Sequence, residues 1–154
     1  MPSSWHIEDA QPCHVRMLAK CLRDGDSEEI MGSGSTPQRS LWYGYRNSIV
    51  RHTAFVDDDI AAMFGVAGPL FGPVGNPWLL TSPAIERLPW PFAREARRIT
   101  AEWLSYYPRL ENFVLASYDK AVGFIQVLGY EVDDDLSHTP SGVAYRRFWM
   151  QRSA

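Results

Sequence analysis

The chain has 154 residues, 45% of them hydrophobic and 21% charged, a composition typical of a globular protein with one sizeable core. Its net charge of -3 excludes a general basic field for nonspecific nucleic-acid binding. The longest apolar run, at 60–70, is broken by two glycines and a proline, so we predict no membrane span. The N-terminus lacks the basic and apolar regions of a signal peptide, and we therefore predict a cytoplasmic protein with a single domain over residues 1–154.

The first predicted elements are a strand at Ser4–Glu8 and a helix after it. The helix is indicated by apolar residues at i, i+3, i+4 and i+7, namely Val15, Leu18, Ala19 and Leu22. Cys13 and Cys21 are eight residues apart, which on a helix places them about 80° apart around the axis and excludes a bond between them. We interpret them as two buried thiols in a reducing compartment.

The segment from Arg23 to Gln38 is predicted to be a loop, because three glycines loosen it. A second helix then begins at about Pro37, a favourable first helical residue. The apolar face of this helix is predicted to carry Leu41, Trp42, Tyr45 and Ile49. Strands at His52–Val56 and Ile60–Ala67 follow, and the three aspartates between them predict a hairpin turn.

A fourth strand is predicted at Pro77–Ser82 and a third helix at about Pro91–Tyr107. The consecutive apolar residues of Asn112–Ser117 are typical of a central fifth strand. Ser117 or Asp119 is expected to cap the fourth helix, which ends at Gly129 and is predicted to bury Ala121, Phe124, Ile125 and Leu128. A sixth strand begins at Tyr130–Val132, and a seventh covers 143–151 after an acidic loop.

The predicted order is strand, two helices, three strands, helix, strand, helix and two strands. This order indicates an α/β protein of the mixed α+β kind, with a central mixed sheet of about seven strands and about four helices on its faces.

The element order and the stretch YDKAVGFIQVLGYEV together resemble the GNAT superfamily of acyl-CoA-dependent N-acyltransferases. Members commonly show an Asn, an Ala three residues later, and a Gly-aromatic pair that enters the next strand. Ala121, Gly129 and Tyr130 stand at the Ala, Gly and aromatic positions, whereas Tyr118 replaces the Asn. The resemblance covers almost the whole chain and implies acetyl-CoA as a cofactor.

The stretches WLLTSPAIER, FAREARRITAEWL and SYDKAVGFIQVLGYEV also resemble a narrower group, the small acetyltransferase-like morphogenesis proteins of short-tailed phages. This resemblance rests on overall pattern and not on a diagnostic motif. It implies a protein found in the cytoplasm of an infected bacterium or in the virion, with phage structural proteins as partners.

The GNAT resemblance implies that the pyrophosphate of coenzyme A lies where the fourth strand meets the third helix, on a glycine-rich loop. Here that junction reads TSPAIERLPWPFAR, which has no glycine and three prolines that lack an N–H donor. Arg87 and Arg94 are candidate phosphate ligands, although a solvated helix face, the ordinary place for such charges, is the simpler explanation. The backbone of Leu80 and Thr81 in the fourth strand is the candidate site for pantetheine.

The resemblance also implies a Tyr on the fourth helix that protonates the leaving thiolate, five residues before the aromatic of the Gly-aromatic pair. Ile125 stands at that position and cannot transfer a proton. Ser117 and Tyr118 are the nearest hydroxyls in sequence and are therefore candidate acids, with capping and packing as the alternative. Glu86 is a candidate base.

The aspartates at 57–59 and 133–135 are more simply a turn and a solvated strand end, and the four histidines lack metal-ligand spacing. We predict no metal site. The pairs Trp42-Tyr43 and Tyr106-Tyr107 cannot both face one core, so some rings should reach the surface, where Tyr and Trp favour protein interfaces.

Two functions remain open at this point. The first is a GNAT-fold protein without efficient acetyl transfer that acts as a structural or interaction component in virion assembly, with protein partners and neither a nucleic-acid nor a membrane partner. The second is an active acetyl-CoA-dependent N-acetyltransferase on an unidentified amine.

Overall fold

The computed structural model describes residues 4–153. Its strands are β1 Trp5–Asp9, β2 Ser48–Val56, β3 Asp59–Ala67, β4 Val74–Thr81, β5 Arg109–Leu115, β6 Glu131–His138 and β7 Ala144–Gln151. Its α-helices are α1 Pro12–Ala19, α2 Asp24–Gly32, α3 Pro37–Asn47, α4 Trp90–Glu102 and α5 Asp119–Val127. Short 3-10 helices follow β4 at Pro83–Arg87 and α4 at Trp103–Ser105.

The strands form one seven-stranded sheet in the order β1-β2-β3-β4-β5-β7-β6. Neighbouring strands are antiparallel except β4 and β5, which are parallel. Two apolar clusters cover the sheet: α1, α2 and α3 pack on one face, and α4 and α5 pack on the other. The predicted mixed α/β sheet is confirmed, with five α-helices rather than about four.

The hairpin between β2 and β3 follows directly from its turn residues. Asp57 and Asp58 have φ values of 48° and 68°, as a two-residue turn of type I′ requires. Aspartate tolerates this left-handed backbone better than most residues do. The predicted turn is therefore confirmed, although Asp59 already belongs to β3.

The predicted loop at Arg23–Gln38 was wrong, because most of this segment is the helix α2. Its sequence, DGDSEEIMG, shows little amphipathic pattern, so periodicity gave no signal. Long-range contacts hold it instead: Ile30 enters the core beneath α3, and two of its carboxylates bond to the ends of β4 and β5. These tertiary contacts stabilise a helix for which the local sequence has only a weak preference.

Three further predictions about buried or capping residues were wrong. Cys13 and Cys21 are both exposed, because His14, Val15 and Leu18 occupy the buried face of α1, which ends at Ala19. The N-cap of α5 is Tyr118, whose side chain makes no capping hydrogen bond, so neither Ser117 nor Asp119 is the cap. Ile49 is the second residue of β2 and does not belong to α3.

The acidic run at 133–135 lies inside β6, where the sequence predicted a loop after a short strand. The β6–β7 pairing is irregular between Val132 and Leu136, which accommodates the run. The Asp133 carboxylate accepts hydrogen bonds from Trp149 Nε1 at 3.0 Å and Arg147 Nε at 2.8 Å. These cross-strand bonds stabilise charged residues in a strand that their own propensity disfavours.

The loop between β3 and β4 holds an exposed aromatic residue in an unfavourable backbone conformation. The Gly72 N–H donates to Pro69 O at 3.1 Å, which closes a four-residue turn with Phe71 at its third position. Phe71 has a φ of 62° and a side chain that is 99% exposed. A four-residue turn whose third residue has a positive φ normally places Gly at that position.

We expect Phe71→Gly to raise the free energy of unfolding by about 0.5–1 kcal/mol, because it relieves backbone strain and removes no buried contact. Urea unfolding followed by circular dichroism measures the change. Leu70→Gly is the matched control: Leu70 has a negative φ and is also exposed, so the same substitution should destabilise by about 0.5–1 kcal/mol. Equal effects of the two variants would contradict the turn assignment.

Candidate active site

The candidate site lies where β4 and β5 separate. The two strands pair only at Val74–Arg109 and Gly75–Leu110, and beyond this point they diverge. Two amides bridge the start of the gap: Asn76 Nδ2 donates to Glu111 O at 2.9 Å, and Asn112 Nδ2 donates to Pro77 O at 2.8 Å. The remaining gap is open to other hydrogen-bonding partners.

The backbone of Leu79 faces this gap. Ser82 N–H donates to Ala61 O of β3 at 2.9 Å, whereas Thr81 N–H points the other way and donates to Asp26. Successive strand residues direct their N–H and C=O groups to opposite sides, so Leu79 is oriented like Thr81. Since the β4–β5 ladder ends at Gly75, the Leu79 N–H and C=O lie beyond the last strand pair.

A cleft of about 1520 Å³ opens at this gap, and both faces of the sheet contribute to its lining. From the face that carries α1, α2 and α3 come residues such as Ile30, Trp42 and Tyr43. From the opposite face come residues such as Phe92, Phe124 and Ile125. The cleft is thus mainly apolar, and the polar groups inside it determine what chemistry it supports.

Two carboxylates of α2 span the open end of the gap. Asp26 Oδ2 accepts from Thr81 N and Thr81 Oγ1, each at 2.5 Å, and Glu29 Oε2 accepts from Leu115 N at 2.8 Å. Asp26 and Glu29 are three residues apart and therefore share one helix face. One helix thus satisfies backbone donors at the ends of both diverging strands.

Burial raises the pKa values of both carboxyl groups. Desolvation raises the pKa of Glu29 to about 7; the Leu115 N–H opposes this change and the charge of Asp26 adds to it. Desolvation also raises the pKa of Asp26, although hydrogen bonds from Thr81 and the nearby Arg23 favour its charged form. Because both residues line the cleft, Glu29 can exchange a proton near neutral pH.

Tyr118 lies beside Asp26 but does not line the main cleft. Its ring would overlap a side chain at Gly25, and the Arg23 guanidinium lies 5.4 Å from the ring centroid. Its hydroxyl is buried without a hydrogen bond of ordinary geometry among the described residues. Burial, with the Asp26 charge next in effect, raises the pKa of the phenol well above its usual range. Tyr118 therefore supports α2 by packing its ring against the first turn of that helix.

The other candidate acid and the candidate base are not brought together. Ser117 is exposed in the turn before α5 and lies outside the cleft lining. Glu86 lies at the cleft mouth, where Lys120 Nζ is 2.5 Å away and Arg23 Nη1 is 3.9 Å away. The hydrogen bond from Lys120 lowers the pKa of Glu86. A carboxylate held in its charged form by cations is a poor general base.

The four candidate cofactor residues lie in different environments. Leu80 and Thr81 line the cleft, but the Thr81 N–H and C=O are already bonded to Asp26 and to Arg23 N. Arg87 points to the β2–β3 turn, where Nη2 is 2.5 Å from Asp59 and Nη1 is 3.4 Å from Asp57. Arg94 is exposed on α4, outside the cleft lining. The arginines are therefore not gathered around one anion position.

The connection from β4 to α4 is rigid and poor in donors. Ser82 Oγ accepts from Ala84 N at 3.2 Å and caps the 3-10 helix that begins at Pro83. Pro89 is the N-cap of α4, and Pro91 follows Trp90, whose side chain is 63% exposed. The first turn of α4 thus lacks the Pro91 N–H, and no residue of the connection at 82–91 is a glycine.

The position on α5 where the family resemblance implies an acid is occupied by an aliphatic side chain. Ile125 lines the cleft and packs against the α4 cluster. A different phenol is in the cleft: Tyr130 is 6% exposed, and its hydroxyl has no hydrogen-bond partner among the described residues. Burial raises its pKa, so this hydroxyl keeps its proton.

Asp26, Glu29 and the hydroxyl of Tyr130 were missed from the sequence as site groups. The two carboxylates fell inside a predicted loop, and Tyr130 was interpreted as the start of the sixth strand and the aromatic of the Gly-aromatic pair. The acidic spacing of i and i+3 in DSEE was the one available signal, and it is common on solvated helices. Over residues 4–153 no cluster of His, Cys, Asp and Glu is arranged to hold a metal ion, and no helix is long and apolar enough to span a membrane.

Three solved structures show what this chain is similar to. The acetyltransferase of the GNAT family from Streptococcus pneumoniae aligns with a TM-score of 0.64 at 13% identity, over 97% of this chain and 100% of that chain. AAC(6')-Ib in complex with ribostamycin and coenzyme A aligns with a TM-score of 0.66 at 14% identity, over 97% and 94%. The ribosomal-protein-S18-alanine N-acetyltransferase from Escherichia coli aligns with a TM-score of 0.64 at 12% identity, over 98% and 96%.

These likenesses show the fold: the chain has the mixed α/β fold of the GNAT acetyltransferases. The resemblance stated from the sequence is confirmed at this level. No protein-family model matches the chain, and no curated protein matches it. The narrower resemblance to phage morphogenesis proteins stays a prediction.

Proposed function

We propose that this chain is a GNAT-fold protein without efficient acetyl transfer that acts as a structural or interaction component. The observation that carries the proposal is the β4–α4 connection, whose three prolines and lack of glycine leave few backbone donors for a pyrophosphate. Ion pairs with Asp57 and Asp59 also commit Arg87 to the β2–β3 turn.

Coenzyme A fits this chain only in part. The apolar cleft and the free Leu79 backbone suit a pantetheine arm. AAC(6')-Ib, which has a similar fold, was solved in complex with coenzyme A. The connection that would hold the pyrophosphate does not suit that group. Phosphates form charge-assisted hydrogen bonds, so a chain that cannot hold the pyrophosphate loses much of the affinity expected for coenzyme A.

Two further observations support the loss of catalysis. Ile125 offers no proton where the family resemblance implies a phenol, and Lys120 holds Glu86 in its charged form.

Exposed rings support an interaction role: Tyr43 is 66% exposed beside the half-buried Trp42, and Tyr106 is 50% exposed beside the buried Tyr107. Exposed Tyr residues favour protein interfaces.

The setting of this role is taken from the narrower sequence resemblance. We propose that the chain takes part in assembling the particle of a short-tailed phage, in the cytoplasm of the infected bacterium or within the virion. Its partners would then be phage structural proteins. Copurification of an affinity-tagged chain with assembling particles would support this setting, and its absence from every assembly stage would contradict it.

An active N-acetyltransferase is the second candidate, and one observation favours it. Glu29 lines the cleft with a pKa of about 7, which suits a group that accepts a proton from an amine. In that case Glu29 and the free backbone of Leu79 would form the active site. Acetylation of a panel of amines by acetyl-CoA, lost in Glu29→Gln but kept in Asp24→Asn, would establish this function.

Calorimetric titration with two thioesters separates the candidates. Acetyl-CoA and S-acetylpantetheine share the acyl arm, and only acetyl-CoA carries the nucleotide phosphates. We expect both to bind weakly, with Kd values of about 1 mM and within about threefold of each other. Acetyl-CoA binding at low micromolar Kd with a clear thermal shift would contradict the proposal, because it would require a phosphate site.

A further inference from the structure

The exposed face of α3 carries Arg39, Tyr43 and Arg46, spaced at i, i+4 and i+7. This spacing places the three side chains on one helix face. All three are exposed and line the mouth of the cleft. We call these three residues the α3 basic face.

The arginines of the α3 basic face lack acidic partners. Within residues 4–153, no carboxylate oxygen lies within 4.0 Å of a guanidinium nitrogen of Arg39 or Arg46. Other arginines of the chain are paired, namely Arg87, Arg98, Arg109, Arg146 and Arg147. Neither α3 nor the adjacent α1 contains an Asp or Glu, and α1 adds the exposed Arg16. The helix α2 also contacts α3 and is acidic, but within residues 4–153 its carboxylates form no ion pair with Arg39 or Arg46. In a chain of net charge -3, this is a local concentration of free positive charge.

Aromatic rings hold this charge in place. The Arg46 guanidinium carbon lies 5.2 Å from the Trp42 ring centroid, and that of Arg51 lies 4.1 Å from the Tyr45 centroid. Trp42 and Tyr45 meet edge to face at 5.8 Å. Stacking fixes a guanidinium plane and leaves its N–H edge free for an anion. Arg46 is therefore held in place before any partner arrives, whereas no ring among the described residues stacks on Arg39.

We propose that the α3 basic face docks an acidic, extended segment of a partner protein. Arg39 and Arg46 are separated by about 10 Å along the helix, which three to four residues of an extended chain cover. Carboxylates of the segment bind the two guanidinium groups, and an apolar side chain between them contacts Tyr43 and the cleft mouth. This inference rests on the proposed interaction role and names the chemistry of the partner.

A protein segment fits better than a nucleic acid. The charged surface is confined to one short helix, whereas a nucleic acid needs a longer basic track along its phosphates. The net charge of -3 also opposes a polyanionic backbone that extends beyond α3. An acidic peptide presents its charge over the length of α3 alone.

Fluorescence anisotropy with a labelled decapeptide that repeats Asp-Ser-Leu-Ser, which places Asp and Leu on the same face of an extended chain, tests the inference on the full chain. We expect the peptide to bind with a Kd below about 1 mM, and Arg39→Glu/Arg46→Glu to weaken binding about tenfold or more. The matched control is Arg94→Glu, a charge reversal at an exposed and unpaired arginine on the opposite face of the sheet, which should change the Kd less than about twofold. Thermal melts check that all variants are folded.

Three results would overturn the inference. They are an absence of peptide binding at about 1 mM, equal binding by the double variant, and tighter binding of an oligothymidine decamer than of the peptide. A dimer that the double variant dissociates would also overturn it, because a second copy would then occupy the face. The acetyl-CoA titration tests the proposed role separately, so failure of one does not entail failure of the other.

Discussion

At pH 8 we expect Glu29→Gln to have a higher free energy of unfolding than the natural chain, by about 3 kcal/mol at most. At pH 5 we expect the two proteins to be nearly equal. Glu29 has an ordinary pKa of 4.5 and a pKa of about 7 in the folded chain, where burial opposes its charge. The Gln carbonyl can still accept the hydrogen bond from Leu115 N–H without burying a charge.

The sign follows from proton binding. Between pH 4.5 and 7 the folded chain keeps the Glu29 proton and the unfolded chain loses it. The contribution of this group to stability is therefore complete below pH 4.5 and is lost as pH rises through 7. The groups that face Glu29 are the Asp26 carboxylate, which adds to its raised pKa, and the Tyr145 hydroxyl, which donates to Glu29 O at 2.6 Å.

Urea unfolding of both proteins at pH 5, 6, 7 and 8 measures the effect. The difference between the two proteins isolates Glu29, because other titrating groups contribute equally to both. Such groups include the buried His14 and the half-buried His52, whose lowered pKa values change stability in the opposite direction. A constant difference across this pH range would show that Glu29 is charged in the folded chain throughout, and would remove the physical basis of a proton-accepting group in the cleft.

Asp26→Ala should destabilise the chain by about 2–3 kcal/mol at pH 7, the second large effect that we expect. The substitution removes the acceptor of both Thr81 N–H and Thr81 Oγ1, and the backbone donor is left unpaired in a buried position. The start of α2 then stays joined to the end of β4 through Arg23, whose N–H donates to Thr81 O at 2.9 Å. The cost arises mainly from the orphaned donor, because an alanine itself is favourable in a helix.

Asp24→Ala is the matched control for this loss. Asp24 is in the same first turn of α2, but it is exposed and has no ion-pair partner within the described part of the chain. We expect a change of no more than about 0.5 kcal/mol. Thermal and urea unfolding report both variants. If Asp24→Ala and Asp26→Ala destabilise equally, helix-terminal charge and not the bond to Thr81 accounts for the effect.

The carboxylates of Asp26 and Glu29 connect the fold to the candidate site. In residues 4–153 the β4–β5 gap is closed at one end by two asparagine amides and at the other by Asp26 and Glu29. Between them the Leu79 backbone faces the gap beyond the last β4–β5 pair. The gap therefore leaves a strand backbone and a titratable group next to the cleft, while the connection after β4 has three prolines and no glycine.

Local sequence patterns predicted most of the framework. The aspartates at 57–59 indicated a hairpin because Asp tolerates the left-handed backbone of a type I′ turn. The apolar stripe of α4 and the consecutive apolar residues of β5 indicated their elements through simple periodicity. The absence of glycine between β4 and α4 was also visible in the sequence, since it depends only on which residues are present.

The candidate site was less accessible, and α2 shows why. Its residues have neither an apolar stripe nor strong helical preference, so neighbouring positions carry no signal. Its bonds join residues 55 and 86 positions apart, from Asp26 to Thr81 and from Glu29 to Leu115. Arg87 was likewise a candidate phosphate ligand until its distant partners at the β2–β3 turn were known.

The sequence by itself therefore determined the order of the strands and of every α-helix except α2, the hairpin turn, the aliphatic residue at 125 and the proline-rich connection after β4. Those features depend on periodicity, turn chemistry and residue identity, which are local. Only the tertiary structure decided that an acidic segment folds as a helix, spans two diverging strands and gives Glu29 a pKa near 7. Burial and long-range hydrogen bonds set those properties, because desolvation exists only once distant parts of the chain have packed together.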